Sequence, residues 1–369
     1  MADQKVTDAG VSALVKTYYS KRLIERLEPK TRLYQMGKKV PIPGGAGNTI
    51  DFTGYRNIKP ILSNSGELSS TQAYISAYNI TATLIQRHNY VQVSTLLKQT
   101  AIDPRVTGAT DALADQMART VEIYLRQTVV GKVGTAARSS AATQSLNTTA
   151  SDSNTQGVLT GSSAQRTHHF WSPFPCLHNK ARLASSGADI AVMAGSAATL
   201  SQVRHAVNFL RSRDVEPPNG SENFPMLIHT WTADALMKDP SWKTWNSSQN
   251  AGSTMYRGSI GNAFGAEFIL SNMAFRYVYS AAPLTTASGA FNASFICGNE
   301  AFGVSQLQSA MENQKGFEII VKTPGPGSTN DPADLINTVA GKMVMTAAVL
   351  NKSAGAVMIS TDRVASSGT

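Results

Sequence analysis

The pattern of apolar and polar positions predicts a mixed helix-and-strand chain, and its most regular element is a helix after Asp103 and Pro104. Apolar residues recur there at spacings of three and four through about Val130, which is the period of a helix with one buried face. The positions expected to form its core are Leu113, Met117, Val121 and Tyr124. Gly131 and Gly134 follow, and glycines at that place are typical of a helix end.

Two segments with a period of two predict a long two-stranded β-ribbon over residues 48–97. Phe52 lies on the apolar face of the first strand and Tyr78 on that of the second. The apolar phase switches after Leu84. A slip of one residue turns every side chain to the other face, so we expect a bulge or bend near Arg87–Asn89. A two-stranded ribbon is marginally stable alone in water, and we expect it to lie on a neighbouring subunit.

The first 47 residues read as an arm. Residues 11–28 have helical periodicity, and Pro29 ends that helix. A basic strip runs through the arm, with Lys21, Arg22, Arg26, Lys30, Arg32, Lys38 and Lys39. Two interpretations stay open: a solvated helix face, or an arm that lies against nucleic acid or an acidic patch of a neighbouring subunit.

The second half predicts a mixed α/β body. Residues 135–200 begin as a polar, low-complexity stretch, and the aromatic and histidine residues of 165–183 then indicate an ordered insertion. Helices are predicted at 199–213 and 232–246. Strands are predicted at 224–230, 264–272, 291–297, 301–306, 317–323, 339–350 and 355–360. This α+β order fits neither a doubly wound sheet, nor a sandwich, nor a barrel.

Composition narrows the class of protein. Hydrophobic residues make up 42% of the 369-residue chain and charged residues only 15%, which excludes a charge-rich disordered protein or a coiled-coil rod. The formal net charge of +9 is compatible with a polyanionic neighbour. The two cysteines are too few for a disulfide framework. No apolar run suits a signal peptide or a membrane span, so we expect a soluble, non-secreted protein.

No group of residues has the pattern of a catalytic or metal site. Gly44–Asn48 lacks the Gly-Lys-Ser/Thr of a phosphate loop, and Ser259 lacks the Gly-x-Ser-x-Gly spacing of a nucleophile elbow. The residue types of metal ligands cluster once, at His168, His169, Cys176 and His178. Their spacing is unlike that of a structural zinc site, and an ordered loop is the better interpretation. We therefore expect no enzyme activity, no cofactor and no metal.

The order of features along the chain resembles the major capsid protein family of tailed phages whose type member belongs to coliphage N-four. In the first half the resemblance rests on residues 27–29, 32–37, 41–43, 48–52, 55, 58, 80–84, 90–94, 103–104 and 113–122. In the second half it rests on residues 301–304, 324–325, 331–332, 341–342 and 349–351. The resemblance is good over about 20–133 and moderate over 260–360, while 135–200 has no counterpart.

The resemblance implies the Hong Kong 97 capsid fold. The N-terminal arm would be residues 1–47 and the extended loop residues 48–97. Residues 98–134 would form the peripheral domain with its spine helix, 135–300 the axial domain with 135–200 as an insertion, and 301–369 strands returning to the peripheral domain. Contacts between subunits are expected at the extended-loop positions Phe52, Tyr55, Leu62, Leu68, Tyr74 and Tyr78.

The function implied is a shell of hexamers and pentamers around double-stranded DNA, in virions assembled in the host cytoplasm. Partners would be further copies of the chain, the portal, scaffolding and decoration proteins, and packaged DNA through non-specific contacts, with no membrane. Two alternatives remain from the residues alone. A sequence-independent nucleic-acid-binding protein would fit the basic arm, and a hydrolase would use Ser259 or the histidine cluster. The shell interpretation depends on 1–47 and 48–97 lying over other copies.

Overall fold

A computed structural model describes residues 31–41, 48–55, 77–94, 105–135, 168–178, 181–182, 188–189, 197–242, 261–279, 289–305, 317–322 and 335–361. The helices are α1 (Arg32–Met36), α2 (Arg105–Leu125), α3 (Leu200–Arg211) and α4 (Thr230–Met237), with a π-helical turn at Arg126–Val130 and a 3-10 turn at Pro218–Gly220. The strands up to residue 189 are β1 (Lys38–Val40), β2 (Thr49–Tyr55), β3 (Ala77–Thr83), β4 (Ile85–Ser94), β5 (Lys132–Thr135), β6 (His168–Trp171), β7 (Cys176–His178), β8 (Ala181–Arg182) and β9 (Ala188–Asp189). The later strands are β10 (Phe224–Ile228), β11 (Asn262–Ala263), β12 (Ala266–Leu270), β13 (Phe275–Tyr279), β14 (Gly289–Cys297), β15 (Phe302–Ser305), β16 (Phe317–Lys322), β17 (Ile336–Met345), β18 (Ala347–Val349) and β19 (Gly355–Thr361).

Helix α2 buries one face, as its three-and-four spacing predicts. Leu113, Met117, Val121 and Leu125 are buried, and Tyr124 packs half-buried against the same core. The helix passes at Arg126 into the π-helical turn. Gly131 closes that turn, because its N–H bonds to the carbonyl oxygen of Arg126 at 3.0 Å and its φ of 150° lies in a region that favours glycine.

A three-stranded antiparallel sheet in the order β16-β17-β4 packs on helix α2. Val93, Ile319, Val339 and Met343 are buried on its inner face. The approach of sheet to helix is close at Gly341, where a Cβ would lie 2.4 Å from Cε of Met117. Helix α2 is thus fixed by strands that come from two distant parts of the sequence.

Only the first part of the predicted ribbon, β2 and β3, forms a two-stranded ribbon. Strands β2 and β3 pair antiparallel from Thr49↔Thr83 to Tyr55↔Ala77. Strand β4 instead pairs with β17, and so the expectation of one ribbon over 48–97 is wrong for 85–94. The chain breaks at Leu84, where it leaves one sheet for another. The apolar positions change phase after Leu84 because the chain changes its strand partner there, and not because of a bulge at Arg87–Asn89.

A large mixed sheet forms the centre of the body. Its eight strands follow the order β11-β12-β10-β14-β19-β7-β8, with β13 paired to β14. Phe291 and Phe295 are buried on one face of β14. Ile296 points to the opposite face, where it packs in a second core with Val203 and Val207 of helix α3. The sheet therefore separates two hydrophobic cores.

The region 135–200 contributes buried residues to the body. Strand β6 lies between β5 and β9 in a small sheet, and β7 pairs with β19 in the large one. Phe170 and Phe174 are fully buried in the core on the Phe291 face. The expected ordered part of this region is thus integral to the core, and its polar stretch at 136–167 lies outside the described residues.

The C-terminal strands divide between sheets. Strands β16 and β17 pack on α2, while β15 lies between β1 and β18 in a three-stranded sheet. Strand β19 lies inside the large sheet, between β14 and β7. The expectation that all strands after residue 300 return to the body around α2 therefore needs correction for β19. Among the described helices, none combines the length and apolarity that a membrane span needs.

Candidate assembly surface

Residues 31–41, here called the N-terminal segment, pack on their own chain. Leu33 is 0% and Tyr34 8% exposed, and both belong to the core around helix α2. The backbone N–H of Leu33 donates to Oε1 of Glu122, at 2.9 Å. Burial raises the pKa of the Glu122 carboxyl to about 7, and hydrogen bonds from the backbone of Leu33 and Tyr34 oppose that rise.

Strand β1 continues this attachment along the edge of β15. The two strands pair in parallel from Lys38↔Gly303 to Val40↔Ser305. Lys38 also reaches Glu300, with Nζ 2.6 Å from Oε1, in an exposed ion pair that is expected to add little stability. This corrects the expectation that the whole stretch 1–47 lies over another copy, since its described part completes a sheet of its own chain. For residues 1–30 and 42–47, which lie outside the description, contact with another copy stays a prediction.

The basic residues of the arm divide into two groups. Arg32, Lys38 and Lys39 are exposed on the N-terminal segment, and Nζ of Lys39 lies 5.2 Å from the ring centre of Tyr34. The others lie outside the described residues: Lys21, Arg22, Arg26 and Lys30. The described cations therefore face solvent beside the site where the segment docks.

The base of the β2–β3 ribbon also packs on its own chain. Phe52 is only 4% exposed and forms a small core with Ile50 and Ala82. Its ring covers Gly303, where a Cβ would lie 2.3 Å from Cε1 of the ring. The role given to Phe52 as an exposed anchor for a neighbour is therefore corrected: the ring holds the ribbon on strand β15 of the same subunit.

The other extended-loop positions are less buried or lie outside the description. Tyr78 is half-buried on β3 and its ring crosses Gly54 of β2. Tyr55 belongs to β2, at the end of its pairing with β3. The remaining three, Leu62, Leu68 and Tyr74, lie outside the described residues. Contacts of this loop with a neighbour remain a prediction.

An outward face of the β16-β17-β4 sheet was missed by the sequence reasoning. Tyr90 is 58% exposed on β4, opposite Ala340 of β17. Lys342 lies in the same outward row, and its Nζ is 3.4 Å from Oε2 of Glu318. Buried and half-buried positions alternate strictly along β17, which marks a strand with one open face, but the sequence gives only a weak signal of it, since Ile336 is half-buried and Asn337 is buried.

A second exposed aromatic lies in helix α4. Trp231, in the first turn of that helix, is 53% exposed, and the guanidinium of Arg276 on β13 lies 5.4 Å from its ring centre. A half-exposed tryptophan beside an arginine is a residue pair that protein interfaces favour. Trp231 and Tyr90 are thus the two large aromatic side chains that the described part of the chain offers most openly to a partner.

The suspected chemical groups do not assemble into a site. His168 and His169 lie on β6 of the small sheet, whereas Cys176 and His178 lie on β7 of the large sheet. Within the described ranges, no three His, Cys, Asp or Glu residues are grouped so that they could hold a metal ion. Ser259 and the glycines of 44–47 lie outside those ranges.

We expect both thiols to be unreactive in the folded protein. Cys176 is 4% and Cys297 0% exposed, and burial raises the pKa of each to about 12. The thiolate is the reactive species, so a disulfide reagent should react at least ~100-fold more slowly with native than with unfolded protein. The absorbance of the thiolate that the reagent releases measures the rate of reaction and the number of cysteines that react. Unfolded protein should give two equivalents, and one fast equivalent from the native protein would contradict the placement.

The fold is shared with solved phage capsid structures at low sequence identity. The acid-stable capsid structure of Helicobacter pylori bacteriophage KHP30 matches with a TM-score of 0.58 and 7% identity, covering 90% of this chain and 92% of that chain. The capsid of Ralstonia phage GP4 matches with a TM-score of 0.54 and 11% identity, over 88% of this chain and 86% of that chain. The capsid of cyanophage Pam1 matches with a TM-score of 0.54 and 12% identity, over 86% of each chain.

Comparison by sequence gives no counterpart. No family model matches the chain, and no curated protein matches it. The mixed helix-and-sheet architecture described above is therefore that of phage capsid proteins, and this is established by three-dimensional structure alone.

Proposed function

We propose that the chain is the major capsid protein of a tailed double-stranded DNA phage, and that it has the Hong Kong 97 fold. What carries the proposal is the extent of the structural likeness, which spans 90% of this chain and 92% of the KHP30 capsid chain. A match over nearly the whole of both chains leaves little room for an unrelated catalytic domain. Fold likeness alone does not fix a function, and the surfaces of the subunit add the physical argument.

The described elements are consistent with the parts that a shell lattice requires. In the proposal, helix α2 is the spine helix, and it forms the peripheral domain with β4, β16 and β17. The large sheet is the axial domain, and β19 belongs to it. Head-to-tail contacts between identical subunits close into rings when the rotation permits, which gives hexamers and pentamers from one sequence. In the same proposal, β2 and β3 are the base of the extended loop, through which the subunit contacts a neighbour.

The exposed aromatic positions supply candidate contacts. Interfaces of standard size bury roughly 1,600 Å² in total and depend on a few large side chains at their centre. Tyr90 and Trp231 have the exposure and the residue type for this role. A low share of charged residues, 15%, leaves neutral surfaces that pack against other copies at little desolvation cost.

The positive balance suits a shell filled with nucleic acid. A net charge of +9 favours contacts with DNA phosphates, which are independent of base sequence and weaken with salt. Scaffolding, portal and decoration proteins would be the further partners, and assembly would take place in the host cytoplasm. The role is structural, and no catalytic step is part of it.

Purification of the full chain, followed by size-exclusion chromatography and negative-stain electron microscopy, tests the proposal. We expect closed shells, or rings of five and six subunits, at high protein concentration. A particle that stays at the 39.3 kDa monomer mass at every concentration, with or without a co-expressed scaffold, would contradict it. A monomer that shifts DNA mobility in low salt alone would favour the nucleic-acid-binding alternative.

A further inference from the structure

Glu122 is a buried acid at the contact between helix α2 and the N-terminal segment. Its side chain is on the buried face of α2 and the residue is 2% exposed. Its Oε1 accepts the Leu33 N–H at 2.9 Å, and the backbone of Tyr34 is a second hydrogen-bond donor to the carboxyl. Both donors belong to the first turn of the five-residue helix α1. The carboxyl therefore holds the start of α1 on α2.

The charged groups around Glu122 compensate its charge only in part. From α1, Arg32 is exposed, and its attraction for the carboxylate is the smallest of the contributions that act on the Glu122 pKa. From the π-helical turn, Arg126 is half-buried and attracts the carboxylate more than Arg32 does, while its Nη1 donates to the carbonyl oxygen of Met273 at 2.9 Å. From β4, the guanidinium of Arg87 lies 5.1 Å from the ring centre of Tyr124. Strand β17 turns Gly341 toward the helix, and its Lys342 pairs with Glu318 on the outward face.

The other contacts that hold the N-terminal segment depend little on the ionisation of any side chain. Leu33 and Tyr34 contribute apolar burial, and β1 contributes backbone pairing with β15. The Lys38–Glu300 pair is exposed, so water screens it. Among the described residues, Glu122 is thus the buried acid on which the docking of this segment depends.

We propose that Glu122 is a pH-sensitive latch, whose protonated form holds the N-terminal segment on helix α2 and whose ionisation favours release. The inference concerns one folded subunit and does not rest on the proposed function. While the segment is docked, the carboxylate of Glu122 is shielded from water, and this is unfavourable when the group is ionised. Release of the segment hydrates the carboxylate, and so the charged form favours the undocked state.

The direction and size of the pH effect on docking follow from the difference between the pKa of Glu122 in the docked and in the released state. The docked pKa of Glu122 is about 7, against 4.5 for the unperturbed side chain. Docking is therefore strongest below pH 4.5, weakens as the pH rises, and reaches its lower plateau above pH 7. This difference corresponds to a fall of up to about 300-fold in the docking equilibrium constant over the full range, and to roughly 30-fold between pH 5.5 and 8.

Hydrogen–deuterium exchange of the full chain tests the latch through the amides of Leu33 and Tyr34. After correction for the intrinsic pH dependence of exchange, we expect their protection to fall roughly 30-fold between pH 5.5 and 8. In Glu122→Gln, which keeps an oxygen acceptor but cannot ionise, protection should be independent of pH. A flat wild-type profile overturns the proposal even where the variant does not fold.

Glu300→Gln is the matched control, because Glu300 also contacts the N-terminal segment but is exposed. It should keep the wild-type pH profile. A pH slope that survives in Glu122→Gln would come from other groups, such as the histidines, and would overturn the proposal. A slope lost in Glu300→Gln and kept in Glu122→Gln would overturn it as well. None of these readouts requires assembled particles.

Discussion

Replacement of Gly303 with alanine is expected to loosen the base of the β2–β3 ribbon and to lower the free energy of unfolding by about 1–3 kcal/mol. The new Cβ would lie 2.3 Å from Cε1 and 2.6 Å from Cδ1 of Phe52. Phe52 is an aromatic ring at 4% exposure, so it cannot move aside within its core. Urea denaturation followed by circular dichroism measures the loss.

Gly108→Ala is the matched control. Gly108 lies in helix α2, and nothing lies within 4 Å of the position a Cβ would take. Alanine should there stabilise the helix by up to about 1 kcal/mol. The pair Phe52→Ala and Gly303→Ala should be non-additive, since removal of the ring leaves room for the methyl group. Equal stability of wild type and Gly303→Ala would refute the described packing.

Phe170→Ala is expected to lower the free energy of unfolding by about 3–5 kcal/mol. The ring is 0% exposed, and its centre lies 4.9 Å from that of Phe275 and 5.2 Å from that of Phe291, in edge-to-face contacts. The truncation therefore opens a cavity between β6 and the large sheet and removes two aromatic pairs at once. Denaturant unfolding is again the measurement.

Trp231→Ala controls for the loss of an aromatic ring as such. Trp231 is 53% exposed, and the Arg276 guanidinium over its ring contributes at most about 1 kcal/mol. Its removal should change stability by no more than that. A Phe170→Ala variant as stable as Trp231→Ala would mean that the region around β6 does not belong to the core.

The helical pattern of α2 was readable because a buried helix face needs no information from elsewhere in the chain. Leu113, Met117 and Val121 are buried where their spacing predicts. The second core helix α3 was also foreseen, over 199–213 against Leu200–Arg211. Helix α4 ends at Met237, and residues 240–242 are helical again, so the helix predicted over 232–246 is interrupted at Lys238 and Asp239, and its last part lies outside the described residues. Apolar spacing alone does not mark that end, and the turn of Asp239 onto α3 depends on a tertiary hydrogen bond to the Leu200 N–H at 2.7 Å.

Strand partners were not readable, since alternation shows that a strand has two unlike faces but not which strand lies beside it. Residues 85–94 alternate like a ribbon strand and yet pair with residues 336–345. Phe52 was predicted to contact a neighbouring subunit for the same reason, because its actual partner Gly303 is some 250 positions away in sequence. Glu122 was missed for a related reason: an acid in a helix is expected to face water, and its hydrogen-bond partner Leu33 is 89 positions away in sequence.

The order of the large sheet has a consequence for synthesis of the protein on the ribosome. Strand β19, residues 355–361, lies between β14 and β7, so the sheet closes only after residue 361 has left the exit tunnel. Until then β14 and β7 each expose an unpaired edge, a state that is prone to aggregation and invites chaperone binding. A nascent chain that still lacks β19 therefore has no finished large sheet, and its two hydrophobic cores are not yet separated.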